Sequence, residues 1–433
     1  MKKGIASLLT VLMLVVLSAC GQGTNNGNTS SPGKGTDTAT ESSGEQVTLK
    51  IGSWRTEDKA AYEEAAKKFT EKYPNIKVEF APTKNTEYNT VLNTELMTGE
   101  GPDIIHLRPY VAGQQIADSD YLVELDGLQG LDQIPKELLI AAKGSDGKVY
   151  GAPILKNSIQ VLYNKKMFDD LKLTEPKTWD EMIQVAETLK QNDVVPFAFG
   201  AKEGWILSLV HGGIGPVGYG GNDFVNKITK GQIGFDSEEF TQSVQLLQEL
   251  IPYYPNNFEG ISMDDMRNML VTEQAGMMIM GDWEVTVIRG MNPDLQLDAF
   301  PIPTKEGNPI VATWVDGSFA VNKNSKHQEE AKKFIEFALT EEFGTIISNR
   351  LLRQSTLPAV QNEDALMKKI SNFANDESAV TPYLFNVYFA AGNPSSKLAL
   401  ETALQGMLLQ KLKPADVGVQ VKESVDTWFK PLN

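Results

Sequence analysis

The chain has 433 residues, 41% of them hydrophobic and 22% charged, with a formal net charge of −16. That length accommodates two ordinary domain cores, and the acidity excludes nucleic acid or an anionic membrane surface as the main partner. With Cys20 as the single cysteine no intramolecular disulfide can form, and His106, His211 and His327 stand in no recognised metal-ligand spacing, so neither a metal nor a cofactor is expected.

In chain order, Lys2 and Lys3 precede an almost wholly apolar run, Ile5–Leu17. The run is too short for a mature membrane span and fits a signal peptide over residues 1–19. Leu17-Ser18-Ala19-Cys20 resembles a bacterial lipobox, which implies cleavage before Cys20 and diacylation (palmitate-type) of that residue. A simple secretory signal with an incidental cysteine is the competing reading. Gly21–Gly44, rich in Gly, Ser, Thr and Asn, cannot bury enough surface to offset its ordering entropy and reads as a flexible tether. The folded body begins near Glu45.

Val47–Ile51 alternates as a strand and runs into Ser53-Trp54-Arg55. A helix carrying Ala61, Ala65 and Phe69 stops at Pro74, and Ile76, Val78 and Phe80 form a second strand. Another helix over Tyr88–Met97 leads to a third strand, Ile104–Leu107, followed by Arg108-Pro109-Tyr110. This β-α-β-α-β order predicts a parallel sheet whose ligands sit beyond the carboxyl ends of its strands.

Gly147–Lys165 holds two short β-type runs, Val149–Ile154 and Ile159–Tyr163, joined through Lys156-Asn157-Ser158. Gly151 and Pro153 rule out an ordinary central strand. The segment reads as a hinge strand between two lobes, with a hairpin inside one domain as the alternative. Beyond it, Thr178-Trp179-Asp180-Glu181 opens a capped helix. Gly212-Gly213-Ile214-Gly215-Pro216 reads as a surface loop. Gly276–Met280 is a buried strand with Gly281-Asp282-Trp283 at its end. Val315-Asp316-Gly317-Ser318 separates the runs Ile310–Trp314 and Phe319–Asn322. Gln328–Leu339 is a strong helix, and the remainder is mainly helical.

No nucleophile elbow and no phosphate loop occurs. What stands out is a set of aromatics at strand ends: Trp54, Tyr110, Trp205, Trp283 and Trp314. An indole offers a flat apolar surface to the C–H face of a pyranose, and carboxylates, amides and guanidiniums pair with its hydroxyls. Arg55 beside Trp54, Asp282 beside Trp283 and Asp316 near Trp314 repeat that pairing. Each Trp taken alone is as readily a core residue. Arg108, Asn157 and Arg353 complete the candidate ligand-binding set.

Taken together, the lipobox, Phe69–Val78 (FTEKYPNIKV), Gly101-Pro102-Asp103-Ile104, Lys148–Pro153 with Leu162–Lys165, Pro176–Glu181, and Ala275–Met278 with Gly281-Asp282-Trp283 resemble the bacterial extracellular solute-binding proteins (family 1) of carbohydrate ABC importers. The likeness covers nearly the whole mature chain. It implies an α/β, periplasmic-binding-protein-like (type II) fold of two lobes joined by hinge strands, each a sheet flanked by helices. By analogy residues 45–154 with 304–339 make the first lobe and 155–303 with 340–433 the second. It also implies sugar stacking at Trp283, a contribution from Trp54 and Arg55, a monomer without enzymatic activity, and partnership with permease subunits. Arg55 and Arg108 admit an acidic sugar. The rival function is a lipid-anchored polysaccharide-acting enzyme with Asp282 and Asp316 as its carboxylate pair.

Overall fold

A computed structural model of the protein describes residues 46–432. The signal peptide, Cys20 and the tether lie outside the described residues. Alternation in Val47-Thr48-Leu49-Lys50-Ile51 gives strand β1 (Val47–Ser53), with Leu49 and Ile51 buried and Lys50 exposed. β2 (Ile76–Pro82) and β3 (Ile104–Leu107) flank it, both parallel to it, as the β-α-β-α-β reading requires. The helices Lys59–Lys72 and Asn85–Met97 are the crossovers, and the first buries Ala61, Ala65 and Phe69.

The hinge segment is one strand, not two runs joined by a polar link. β4 (Ala152–Asn164) is 13 residues long and buried throughout. β5 (Val195–Phe197), β6 (Ala275–Gly281), β7 (Leu297–Phe300), β8 (Ile302–Pro303), β9 (Pro309–Val321), β10 (Gln354–Ser355) and β11 (Val380–Pro382) complete an 11-stranded sheet with the main path β2-β1-β3-β9-β4-β6-β5. β4 pairs antiparallel with β9 from Ala152 to Ser158, then with β6 from Ile159 to Tyr163. One strand therefore touches both halves of the sheet, and the hairpin alternative fails. The register shifts beside Pro153, which has no N–H to give the ladder.

β9 crosses in the same way. Phe319 and Val321 bury in the first lobe's core with Phe69, Phe80 and Phe334, while Ala312, Trp314 and Val315 bury in the second lobe's core. Asp316 thus lies within one continuous strand that joins the runs Ile310–Trp314 and Phe319–Val321. The lobe boundary expected at Thr340 also moves. Phe343, Ile347, Leu357 and Val360 are buried in the first core, and the chain rejoins the second from Leu366. Fully burying one such phenylalanine is worth about 1.5–3 kcal/mol, enough to tie the helix Glu341–Leu351 to the first lobe.

The glycine-rich run corrects a further expectation. Gly212–Pro216 is not a surface loop but part of a buried helix, Gly204–Tyr219. A Cβ at Gly212 would stand 2.4 Å from the Tyr383 ring, and one at Gly218 would stand 2.4 Å from the Ser243 backbone. These glycines admit close neighbours and cradle no phosphate.

Candidate functional site

The strands deliver the candidate residues to the seam between the lobes. Trp54-Arg55 follows the carboxyl end of β1, Arg108 and Tyr110 that of β3, and Asp282-Trp283 that of β6. Asn157 sits mid-way along β4, Trp314 and Asp316 lie on β9, and Arg353 immediately precedes β10, which is paired to β4.

Asp316 is the centre of a polar knot. Its carboxylate is paired with Arg55, accepts from Arg353 Nη2 at 3.0 Å and accepts from Asn157 Nδ2 at 3.2 Å. Arg353 also donates to Asn157 Oδ1 at 2.7 Å, and Asp58 lies 3.8 Å from the Arg55 Nε. Burial alone would push the Asp316 carboxyl up, but the two guanidiniums hold it well below the usual carboxylate range. Both Arg55 Nε and Arg353 Nε are buried without a hydrogen-bond partner among the described residues.

Trp54 is not a free platform. Its ring stacks on His106 at 4.1 Å between centroids, and the Arg108 guanidinium lies 4.1 Å from its ring centre. His106, set aside in sequence as an unlikely metal ligand, is the residue missed here. It pairs with the Ser53 hydroxyl at 2.8 Å, and burial pushes it down to about 3, so it stays neutral. Arg108 is steered by Asn85 Oδ1 at 2.5 Å and Asn89 Oδ1 at 3.3 Å. A cavity of about 360 Å³ lies apart from the Asp316 knot, between the helices Asn85–Met97 and Val111–Asp118, with Arg108 in its wall.

On the other side of the seam Trp283 meets Trp314 edge-to-face at 5.7 Å and 77°, and Trp314 meets Tyr383 at 5.2 Å and 68°. Trp314 and Tyr383 are buried, while Trp283 is only partly so. The Trp283 ring lies directly over Gly281, where a Cβ would stand 1.9 Å from it. Tyr383 was overlooked because Thr381-Pro382-Tyr383 falls in a stretch read only as helical.

Asp282 has no exposed surface. It accepts from Ser158 N at 3.2 Å and from Gln354 Nε2 at 3.0 Å, and Gln354 also donates to the Ser158 hydroxyl at 2.7 Å. Burial pushes its carboxyl up. The expected Asp282–Trp283 pairing toward a hydroxyl is therefore replaced by a hydrogen-bonded brace beneath β4. Tyr110 is likewise turned inward. Its backbone takes a positive φ of 60°, and its hydroxyl accepts the Val315 N–H at 2.9 Å, locking a first-lobe loop to β9. Trp205 stands apart from the Asp316 knot, 38% exposed at the start of its helix.

Residues 52–344 match the family model described as bacterial extracellular solute-binding protein. A multiple sugar-binding protein of Streptococcus mutans serotype c is 26% identical over 310 residues, 70% of this chain and 73% of its own. An uncharacterised ABC transporter extracellular-binding protein of Pyrococcus horikoshii is 27% identical over 360 residues, 79% of this chain and 77% of its own. Among solved structures, the apo form of RafE from Streptococcus pneumoniae superposes with a TM-score of 0.77 at 20% identity, covering 89% of this chain and 98% of RafE. A RafE structure in complex with raffinose gives 0.73 at 20% identity, covering 88% and 99%.

Proposed function

The chain belongs to the bacterial extracellular solute-binding proteins, and from that membership we propose that it captures a mono- or oligosaccharide between its two lobes and hands it to the permease of an ABC importer. The observation that carries this reading is the seam itself. A partly exposed Trp283 backed by Trp314 follows β6, the neighbour of β4, and β4 and β9 carry Asn157 and Asp316 of a hydrogen-bonded Arg55–Asp316–Arg353–Asn157 knot. Indole faces and planar polar groups brought together are the chemistry of pyranose recognition. Ligand contacts to both lobes would shift an open–closed equilibrium toward closure. Cys20 is the proposed diacylated anchor, with residues 21–44 as tether to the extracytoplasmic face of the membrane, and the working unit is a monomer.

The geometry disfavours the enzyme. A glycosidase's general acid has to reach the glycosidic oxygen, yet Asp282 is fully buried and spent on Ser158 and Gln354. Asp316 is kept ionised by two arginines. The same pairing weakens the case for an acidic sugar, since the charge of Arg55 is already balanced. Intrinsic tryptophan fluorescence of the mature protein against a panel of neutral and acidic sugars tests the proposal. A saturable change with at least one sugar is expected, and none with any member refutes it.

A further inference from the structure

Lys397 and Glu401 lie four residues apart on the helix Ser396–Leu408, a spacing that puts both on one face. Elsewhere this spacing produces contact: Lys59–Glu63 closes at 2.8 Å and Lys165–Asp169 at 3.2 Å. Here the two charges form no ion pair. Lys397 donates to Asn386 Oδ1 at 3.1 Å and stands 5.7 Å from the Tyr383 ring centre, whereas Glu401 accepts from the Ser208 hydroxyl at 2.7 Å. Burial pushes the Lys397 ammonium down against the opposing charge of Glu401, and no carboxylate closes an ion pair with it among the described residues. The Tyr383 hydroxyl is buried beside them, next to Ser208.

The position of the pair follows from the glycine-rich helix. Trp205, Ser208 and Gly212 fall at i, i+3 and i+7, one stripe of Gly204–Tyr219. Gly212 lets the Tyr383 ring settle on that stripe, Ser208 holds Glu401, and Trp205 is its exposed end. Tyr383 in turn abuts Trp314, which abuts Trp283. The separated charges are thus linked to the partly exposed Trp283 through the buried rings of Tyr383 and Trp314.

We infer that Lys397 and Glu401 form a hydroxyl-reading pair on the second lobe that makes the site specific for uncharged pyranose rings. A sugar hydroxyl both donates and accepts. An ammonium with free N–H groups beside a carboxylate with free lone pairs matches adjacent hydroxyls in both directions. A uronate placed there would meet the Glu401 charge, while on the first lobe Arg55 and Arg353 are paired with Asp316 and Arg108 is held over Trp54 by Asn85 and Asn89. The assignment rests on the sugar-binding reading and narrows it to a class.

The experiment is isothermal titration of wild type, Lys397→Met, Glu401→Gln and Leu398→Ala against raffinose, stachyose, maltotriose, xylotriose and trigalacturonate, with a melting curve on each preparation. Leu398 is 49% exposed on the same helix and serves as the control. Wild type should prefer a neutral member of the panel. Each charge variant should weaken that binding by about tenfold to a hundredfold, the loss of a hydrogen bond to a charged group, and Leu398→Ala should not. Glu401→Gln keeps its shape and its contact to Ser208, so a loss there with an unchanged melting temperature is not a folding defect. Unaltered affinity in Glu401→Gln, or wild-type preference for trigalacturonate, overturns the pair. Binding of no sugar by wild type removes the proposed function itself, and this assignment with it.

Discussion

Asp316→Asn removes one charge, keeps the shape of the side chain, and leaves Arg353 without a carboxylate partner among the described residues and Arg55 with only Glu57 and Asp58. The Arg353 and Arg55 side chains are only 7% and 16% exposed, and Asp316 itself is 14% exposed. Breaking a buried ion pair on one side costs about 3–5 kcal/mol. Because Asp316 keeps some exposure and asparagine still accepts one hydrogen bond, about 3 kcal/mol is the value expected at pH 7. That is a large part of an unfolding free energy of about 5–15 kcal/mol. The pH dependence carries a definite sign. The folded carboxyl titrates below its unfolded value of about 3.9, so its stabilisation is fully present above that value and lost as pH falls toward the folded one. Equilibrium urea unfolding followed by circular dichroism should give a wild-type minus variant difference that is flat from about pH 5 to 8 and shrinks by about pH 3. Adding Arg353→Met to Asp316→Asn should cost less than the two separate effects summed. A loss under about 0.5 kcal/mol at pH 7, the range of an ordinary surface change, would refute the knot, as would a difference indifferent to acid.

Trp283→Ala should weaken sugar binding by about 1–3 kcal/mol, the value of burying a large apolar side chain, with little change in melting temperature. Gly281→Ala should do the same without deleting the ring, since its Cβ would collide with the indole. Preserved affinity in both would return Trp283 to the core. Lys156, buried against Ala374 O and Asn375 Oδ1, is pushed by burial down to about 8. Its charged form is thus disfavoured in the fold, so wild type should gain up to about 3 kcal/mol on Lys156→Met as pH rises from about 8 to 10, and a pH-independent difference in stability would exclude this. Cys20→Ala should release the protein from membranes with affinity intact. A diacylated, membrane-bound form of that variant would sink the anchor.

The parallel half of the sheet was legible because its residues obey simple periods. Leu49 and Ile51 alternate, and Ala61, Ala65 and Phe69 repeat every fourth position. The seam was legible in outline, since Arg55, Asn157, Asp316 and Arg353 do converge. Their roles were not, because a sequence does not show which charge spends itself on which. Asp282 and Asp316 read alike beside their tryptophans, yet one is sealed under β4 while the other is held by arginines. Gly212–Pro216 misled for a related reason. Glycine marks either a turn or a close approach, and only the Tyr383 ring, 171 positions on, distinguishes them.

The strands that join the lobes are unusual in what they bury. Asn157, Ser158 and Gln160 on β4 have almost no exposure, and neither do Asp282 and Gln354 beside it. Each such hydrogen bond contributes only about 1 kcal/mol net, so stability alone does not explain their concentration there. Register does. β4 is shared between β9 and β6, and its apolar residues would tolerate a slip by two positions, which keeps every side chain on its face. Ser158 would not, because slipping would part it from both Asp282 and Gln354, and Asn157 would lose Arg353 and Asp316. Unmet polar groups in a buried strand cost more than the bonds contribute. A hinge has to rotate without sliding, and side chains with fixed partners permit the first motion while forbidding the second. Thus the Asp282 brace and the Asp316 knot serve the same end on opposite sides of β4.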